Sequence, residues 1–180
     1  MRVAEAVERD SEPEPAAVAR LAELLRTARR PVFVAGLEAR PADARDALTT
    51  LATLSGALLA TSTAARGLFA GNPWSIDLPE GFSPPFASEL MRDADLVVAW
   101  GSTGDAAPLH DGGLIAPETK VVRVDASADA SNVHTHADLG LAGDVRATAQ
   151  AAVDALRTCP RTLLTWRTPQ LRRRIARHSQ

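Results

Sequence analysis

The segment DADLVVAWGSTGDAAPLHDGGLIAPETKVVRVD, residues 93–125, decides the fold. It holds two short apolar runs, Leu96 to Trp100 and Val121 to Val124, the second broken only by Arg123. Near-continuous apolar runs of this length suit strands covered on both faces, as in a parallel sheet between two helix layers. A strand with one wet face alternates instead. Each run ends in a residue suited to a loop at the sheet's edge, Gly101 after the first and Asp125 after the second. Ligands of such sheets bind beyond the carboxyl ends of the strands, so this block marks where a site belongs. It carries no residues arranged to do chemistry themselves.

Working outward, PVFVAG (31–36), LLAT (58–61) and ADLGLAG (137–143) read as further strands. Helical spacing of apolar residues falls between them, over 16–28, 41–55 and 85–92, with Pro15 and Pro41 at helix starts and Gly56 as a terminator. Asp144 is placed to cap a last helix running to Leu156. The long segment STAARGLFAGNPWSIDLPEGFSPP (62–85) reads as a loop with one short strand at 75–78. Strands and helices thus alternate, which predicts right-handed βαβ units. The expected fold is a three-layer α/β/α sandwich around a mostly parallel, Rossmann-like sheet of five or six strands. Residues 1–15 read as a flexible lead-in, and 158–180 as a basic, partly helical tail.

At 180 residues the chain is most simply one folded domain with a substantial core. Its net charge of −2 offers no electrostatic reason to expect nucleic acid or an acidic membrane as partner. One cysteine, Cys159, excludes an internal disulfide and a cysteine-rich zinc site. No apolar run approaches the ~20 residues that cross a membrane, and the first ten residues do not read as a signal peptide. A cytoplasmic protein fits.

Candidate site residues gather at strand ends. Gly36, Gly101 and Gly143 each follow a strand, and such turns let backbone approach a phosphate. The same turns are needed by any doubly wound sheet. GSTG (101–104) resembles a phosphate cradle only loosely, for neither GxGxxG nor a P-loop is present. Asp105, Asp125 and Asp144 would suit a ribose hydroxyl or a metal, and would equally serve caps and turns. His134 and His136, with His110 further away, lack visible co-ligands. No GxSxG occurs, and Cys159 has no evident histidine partner, so no catalytic residue is assigned. Arg172, Arg173, Arg174 and Arg177 read as a solvated helix face or as phosphate contacts. Leu68, Phe69, Trp74, Phe82 and Phe86 would line a ligand, cover a neighbouring domain, or cap the sheet.

Five segments in order resemble the central domain of thiamine-diphosphate-dependent enzymes of the acetolactate synthase and pyruvate decarboxylase type. They are RRPVFVAG, ATSTAARGLFAGNPWS, ADLVVAWGSTGD, LIAPETKVVRVDAS and ADLGLAGDVRATAQAAVDAL. Arg66 stands where that family usually has Lys. The likeness spans 16–157 and is specific through the ordered set. It implies a DHS-like NAD/FAD-binding fold.

It also implies a parent enzyme acting on 2-oxo acids, with thiamine diphosphate and Mg²⁺ held between a pyrimidine-binding and a diphosphate-binding domain. In this family the active site is shared between subunits, so a homo-oligomer is expected. Gly143-Asp144 is followed by Val145 rather than Gly, so it is not the metal motif of the diphosphate domain. The chain is therefore expected to be an excised or orphaned structural domain that does not hold thiamine diphosphate alone. Some relatives bind FAD or ADP in this domain, at positions matching Gly36, Thr61, Ser62, Gly101, Asp105, Asp125 and Asp144. The loop GSTGDAAP lacks the Arg common in FAD binders, which favours a scaffold. The alternative is an independent module binding FAD, NAD or ADP.

Overall fold

The computed structural model describes residues 12–76, 85–101, 113–126, 137–159 and 166–178. Five strands form one sheet: β1 (Pro31–Ala35), β2 (Leu58–Thr61), β3 (Leu96–Trp100), β4 (Lys120–Asp125) and β5 (Leu139–Ala142). Their order is β2-β1-β3-β4-β5, and every pairing is parallel. The expected strands at 31–36, 58–61, 96–100, 121–124 and 137–143 are present. Of the short one expected at 75–78, the described part makes a parallel bridge between Ser75 and Leu59. Residues 77–78 lie outside the described set.

The apolar runs predict their own environment. All of β1, β2 and β3 is buried, and alternate residues feed two separate cores. Phe33, Leu59, Val98, Trp100, Val122 and Val124 point to the first core. It is closed by α1 (Pro15–Thr27), α2 (Ala42–Ser55) and α4 (Val145–Thr158). Trp100 and Phe33 meet there edge-to-face, ring centroids 5.5 Å apart. Burying a side chain of this size contributes about 1.5–3 kcal/mol. The second face presents Val34, Ala60, Val97, Ala99 and Val121 to α3 (Pro85–Asp93) and α5 (Pro169–His178).

Helix α5 lies within the basic tail. It is not a wholly solvated segment: Leu171 and Ile175, one turn apart, are buried in the second core. Arg174 reaches Glu89 of α3 at 3.0 Å and lies over the Phe86 ring.

Helix ends follow local chemistry. Gly56 closes α2 in the left-handed conformation, φ 72°, where a side chain costs energy. At the amino edge of the sheet, the Asp95 carboxylate accepts from the Arg29 and Arg30 amides at 2.7 and 2.8 Å. Asp138 accepts from the Val121 amide at 2.8 Å. These carboxylates satisfy strand-start donors that would otherwise lack partners. Among the described residues, no helix is long and apolar enough to cross a membrane.

Candidate nucleotide site at the carboxyl edge of the sheet

The parallel sheet sets the strand-end residues side by side. Across the edge run Thr61 and Ser62 after β2, Gly36 after β1, Gly101 after β3, Asp125 at the end of β4, and Gly143-Asp144 after β5. Strand order reverses between β1 and β3, and a ligand of an open parallel sheet sits at such a reversal. Gly36 and Gly101 flank it. Asp105, His110, His134, His136 and Phe82 lie outside the described residues.

Backbone bonds stitch this edge together. The Gly36 amide donates to Trp100 O at 2.8 Å, Gly101 to Val124 O at 2.7 Å, Ser62 to Ala35 O at 2.8 Å, and Gly143 to Asp125 O at 2.9 Å. Amides used this way are not available to a phosphate. Gly36 itself is extended, at φ −102°, a conformation open to any residue.

Gly101 is different. Its φ is +60°, and a Cβ there would lie 2.4 Å from Glu38 Cβ and 3.0 Å from Val145 Cγ2. The missing side chain makes room for the protein's own helical turn at Leu37–Ala39 and the start of α4. The Glu38 amide donates to Gly101 O at 3.3 Å, and its carboxylate accepts from the Ala126 amide at 3.4 Å. The Glu38 side chain thus runs from Gly101 after β3 to Ala126 after β4. No sequence pattern marked Glu38, because its contacts are with residues more than sixty positions away.

The carboxylates are engaged in the fold. Asp144 Oδ1 accepts from the Ala147 amide at 2.8 Å, the N-cap expected from sequence. Asp125 is buried beside Arg123, whose Nε lies 3.4 Å from its Oδ2, with side chains 1% and 5% exposed. Both point to the same face of β4, as residues two apart in a strand must. Removing two charges from water demands such a partner. Thr61 is buried. Ser62 Oγ is buried and, among the described residues, makes no hydrogen bond. Of the strand-end positions it presents a polar side-chain atom still to be satisfied.

The described part of this edge does not fit thiamine diphosphate with Mg²⁺. Among the described residues, no three His, Cys, Asp or Glu side chains gather in a way that would hold a metal ion. A diphosphate at this edge would meet the Glu38 carboxylate, and the buried cation Arg123 lies against Asp125.

The geometry defines a Rossmann-like, all-parallel three-layer domain whose described strand-end carboxylates are engaged by the fold itself. Residues 18–152 match the family described as "Thiamine pyrophosphate enzyme, central domain". The chain belongs to this family. It is 28% identical over 148 residues to an acetolactate synthase of Mycobacterium avium, covering 82% of this chain and 24% of that protein. It is 28% identical over 149 residues to an acetolactate synthase large subunit of Mycobacterium tuberculosis, with the same coverage of 82% and 24%. The chain therefore spans about a quarter of the length of the curated relatives it matches. A solved chain assigned as a thiamin diphosphate-dependent enzyme from Mycobacterium smegmatis superposes with a TM-score of 0.64. The superposition covers 85% of this chain and 30% of that one, and at 22% identity it speaks to the fold.

Proposed function

We propose that this chain is the structural, central part of an acetolactate synthase-like enzyme that joins or cleaves carbon–carbon bonds beside the carbonyl of a 2-oxo acid. Residues 16–157 form the central domain proper, with 1–15 as lead-in and 158–180 as the tail. Its partners are a pyrimidine-binding and a diphosphate-binding domain, which hold thiamine diphosphate and Mg²⁺ between them. The domain keeps those two at fixed geometry in a cytoplasmic homo-oligomer. It is not catalytic alone.

The observation that carries this reading is the occupied carboxyl edge. Glu38 covers Gly101, Asp144 caps α4, and Asp125 is held beside Arg123. Side chains spent on the fold are not available for chemistry, and fold likeness alone does not bring a site with it.

A second reading, an independent module for FAD, NAD or ADP, draws on the buried Ser62 Oγ. Its contacts would come from Gly36, Thr61, Ser62, Gly101, Asp105, Asp125 and Asp144.

Thermal unfolding of the purified chain with each ligand separates the two. A ligand at a hundred times its dissociation constant stabilises by about 2.7 kcal/mol, which raises Tm by about 5–11 °C in a domain of this size. The scaffold reading expects no Mg²⁺-dependent shift with thiamine diphosphate. Saturable, Mg²⁺-dependent binding of thiamine diphosphate by this chain would sink it. Absence of a shift with FAD, NAD and ADP would sink the module.

A further inference from the structure

A second concave surface lies away from the strand ends. It is a cavity of about 430 Å³ lined by Trp74, Arg167, Pro169, Arg172, Arg173 and Ala176. Its place is beside the start of the edge strand β2. Arg167 donates through Nε to the carbonyl of Ala57 at 3.0 Å, and through one Nη to the same oxygen. Trp74 O accepts from the Leu59 amide at 3.0 Å. This end of the sheet is opposite the one holding Gly101 and Asp125.

Three guanidinium groups line one hollow, and no carboxylate is among its described lining residues. The neighbouring arginine of the helix behaves differently: Arg174 is paired with Glu89. Arg167, Arg172 and Arg173 form no ion pair with any described residue. Arg167 is half-buried, its guanidinium 5.2 Å from the centre of the Trp74 ring, and burial lowers its pKa to about 10. It remains charged at neutral pH, so its charge is held partly desolvated with no opposite charge paired to it among the described residues. Arg172 ends the first turn of α5, where the helix dipole disfavours cations, Arg173 follows it, and that first turn contains no acid. Arg167 also serves the fold, through Ala57 O and the Trp74 ring, whereas Arg172 and Arg173 make no such bond with a described residue.

We propose that this cavity binds a phosphate-bearing small molecule, through a phosphate or diphosphate group held by Arg167, Arg172 and Arg173. The planar guanidinium forks match phosphate oxygens in pairs. The volume lies within the range of small-molecule sites, about 300–1,000 Å³. The bound anion supplies Arg167 with a counter-charge.

Titration calorimetry of the full 180-residue chain at low salt tests this with inorganic pyrophosphate, ADP and adenosine as probes. Pyrophosphate and ADP are expected to bind, more weakly as salt rises, and adenosine is not. The exposed pair Arg172→Gln/Arg173→Gln, checked for unchanged circular dichroism, weakens binding by about tenfold or more, as loss of hydrogen bonds to charged groups predicts. Arg174→Gln, engaged with Glu89, changes it by less than about twofold. Tighter binding of ADP than of pyrophosphate identifies a nucleotide as the source of the group. Equal binding identifies the diphosphate itself. No binding of either by folded protein overturns the proposal. So does unchanged binding in the double variant, which would move the anion to the strand-end edge instead.

Discussion

Replacing Gly101 by Ala isolates what this glycine does at the reversal point of the sheet. Two costs are built into its geometry. At φ +60° an L side chain sits in the left-handed region, which costs about 1–2 kcal/mol. The new Cβ would also lie 2.4 Å from Glu38 Cβ and 3.2 Å from Glu38 Cα, so the turn at residues 37–39 must move. Overpacking of this kind costs about 1–3 kcal/mol. Together Gly101→Ala is expected to lose about 2–5 kcal/mol, a large part of the stability of one domain. Glu38→Gly removes the nearer atom. In that background the same substitution should cost about 1–2 kcal/mol for the conformational part, plus the smaller strain of the remaining contacts with Val145 Cγ2 at 3.0 Å and residue 38 Cα at 3.2 Å. Urea unfolding followed by circular dichroism gives all four corners of the double-mutant cycle. The reasoning fails if Gly101→Ala is within about 0.5 kcal/mol of the parent, or if its cost is the same with and without the Glu38 side chain. A stable variant that had lost only nucleotide binding would show that the glycine serves a ligand, not the protein's own packing.

Three further substitutions test other parts of the structure. Asp144→Ala, which removes the acceptor of the Ala147 amide, should cost about 0.5–2 kcal/mol in urea unfolding, with Asp144→Asn recovering most of it. Arg123→Met leaves Asp125 buried without its neighbouring cation and should destabilise by about 3–5 kcal/mol. Arg123→Met combined with Asp125→Leu should be milder than the single change, and a harsher double variant would refute the pair. Leu171→Ala should cost about 2–5 kcal/mol if α5 truly closes the second core, against less than about 0.5 kcal/mol for the exposed Arg177→Ala. Equal small effects would show α5 detached from the sheet.

The strands were legible because burial on both faces demands an unbroken apolar run, and Pro31–Ala35, Leu58–Thr61 and Leu96–Trp100 each satisfy it. Caps were legible because they are local. Asp144 bonds an amide three residues on, and Gly56 needs only its own φ. The row of strand-end residues could also be anticipated, since parallel strands bring all their carboxyl ends to one edge. What those residues do there could not. Arg123 looked like an interruption of a strand, and it proved to be a buried cation beside Asp125. The basic tail looked like a solvated face, although Leu171 and Ile175 carry helical spacing and pack into the second core. The likeness of five ordered segments pointed to the central domain of thiamine-diphosphate enzymes, and the match over residues 18–152 places the chain in that family.

By itself, then, the sequence determined the alternation of elements, the parallel sheet and the family, because each rests on neighbours along the chain or on ordered segments. Tertiary structure alone decided the strand order, the place of Glu38 over Gly101, and the gathering of Arg167, Arg172 and Arg173 around one cavity. These depend on which distant segments meet. Periodicity records only whether a residue is buried, not what it is buried against.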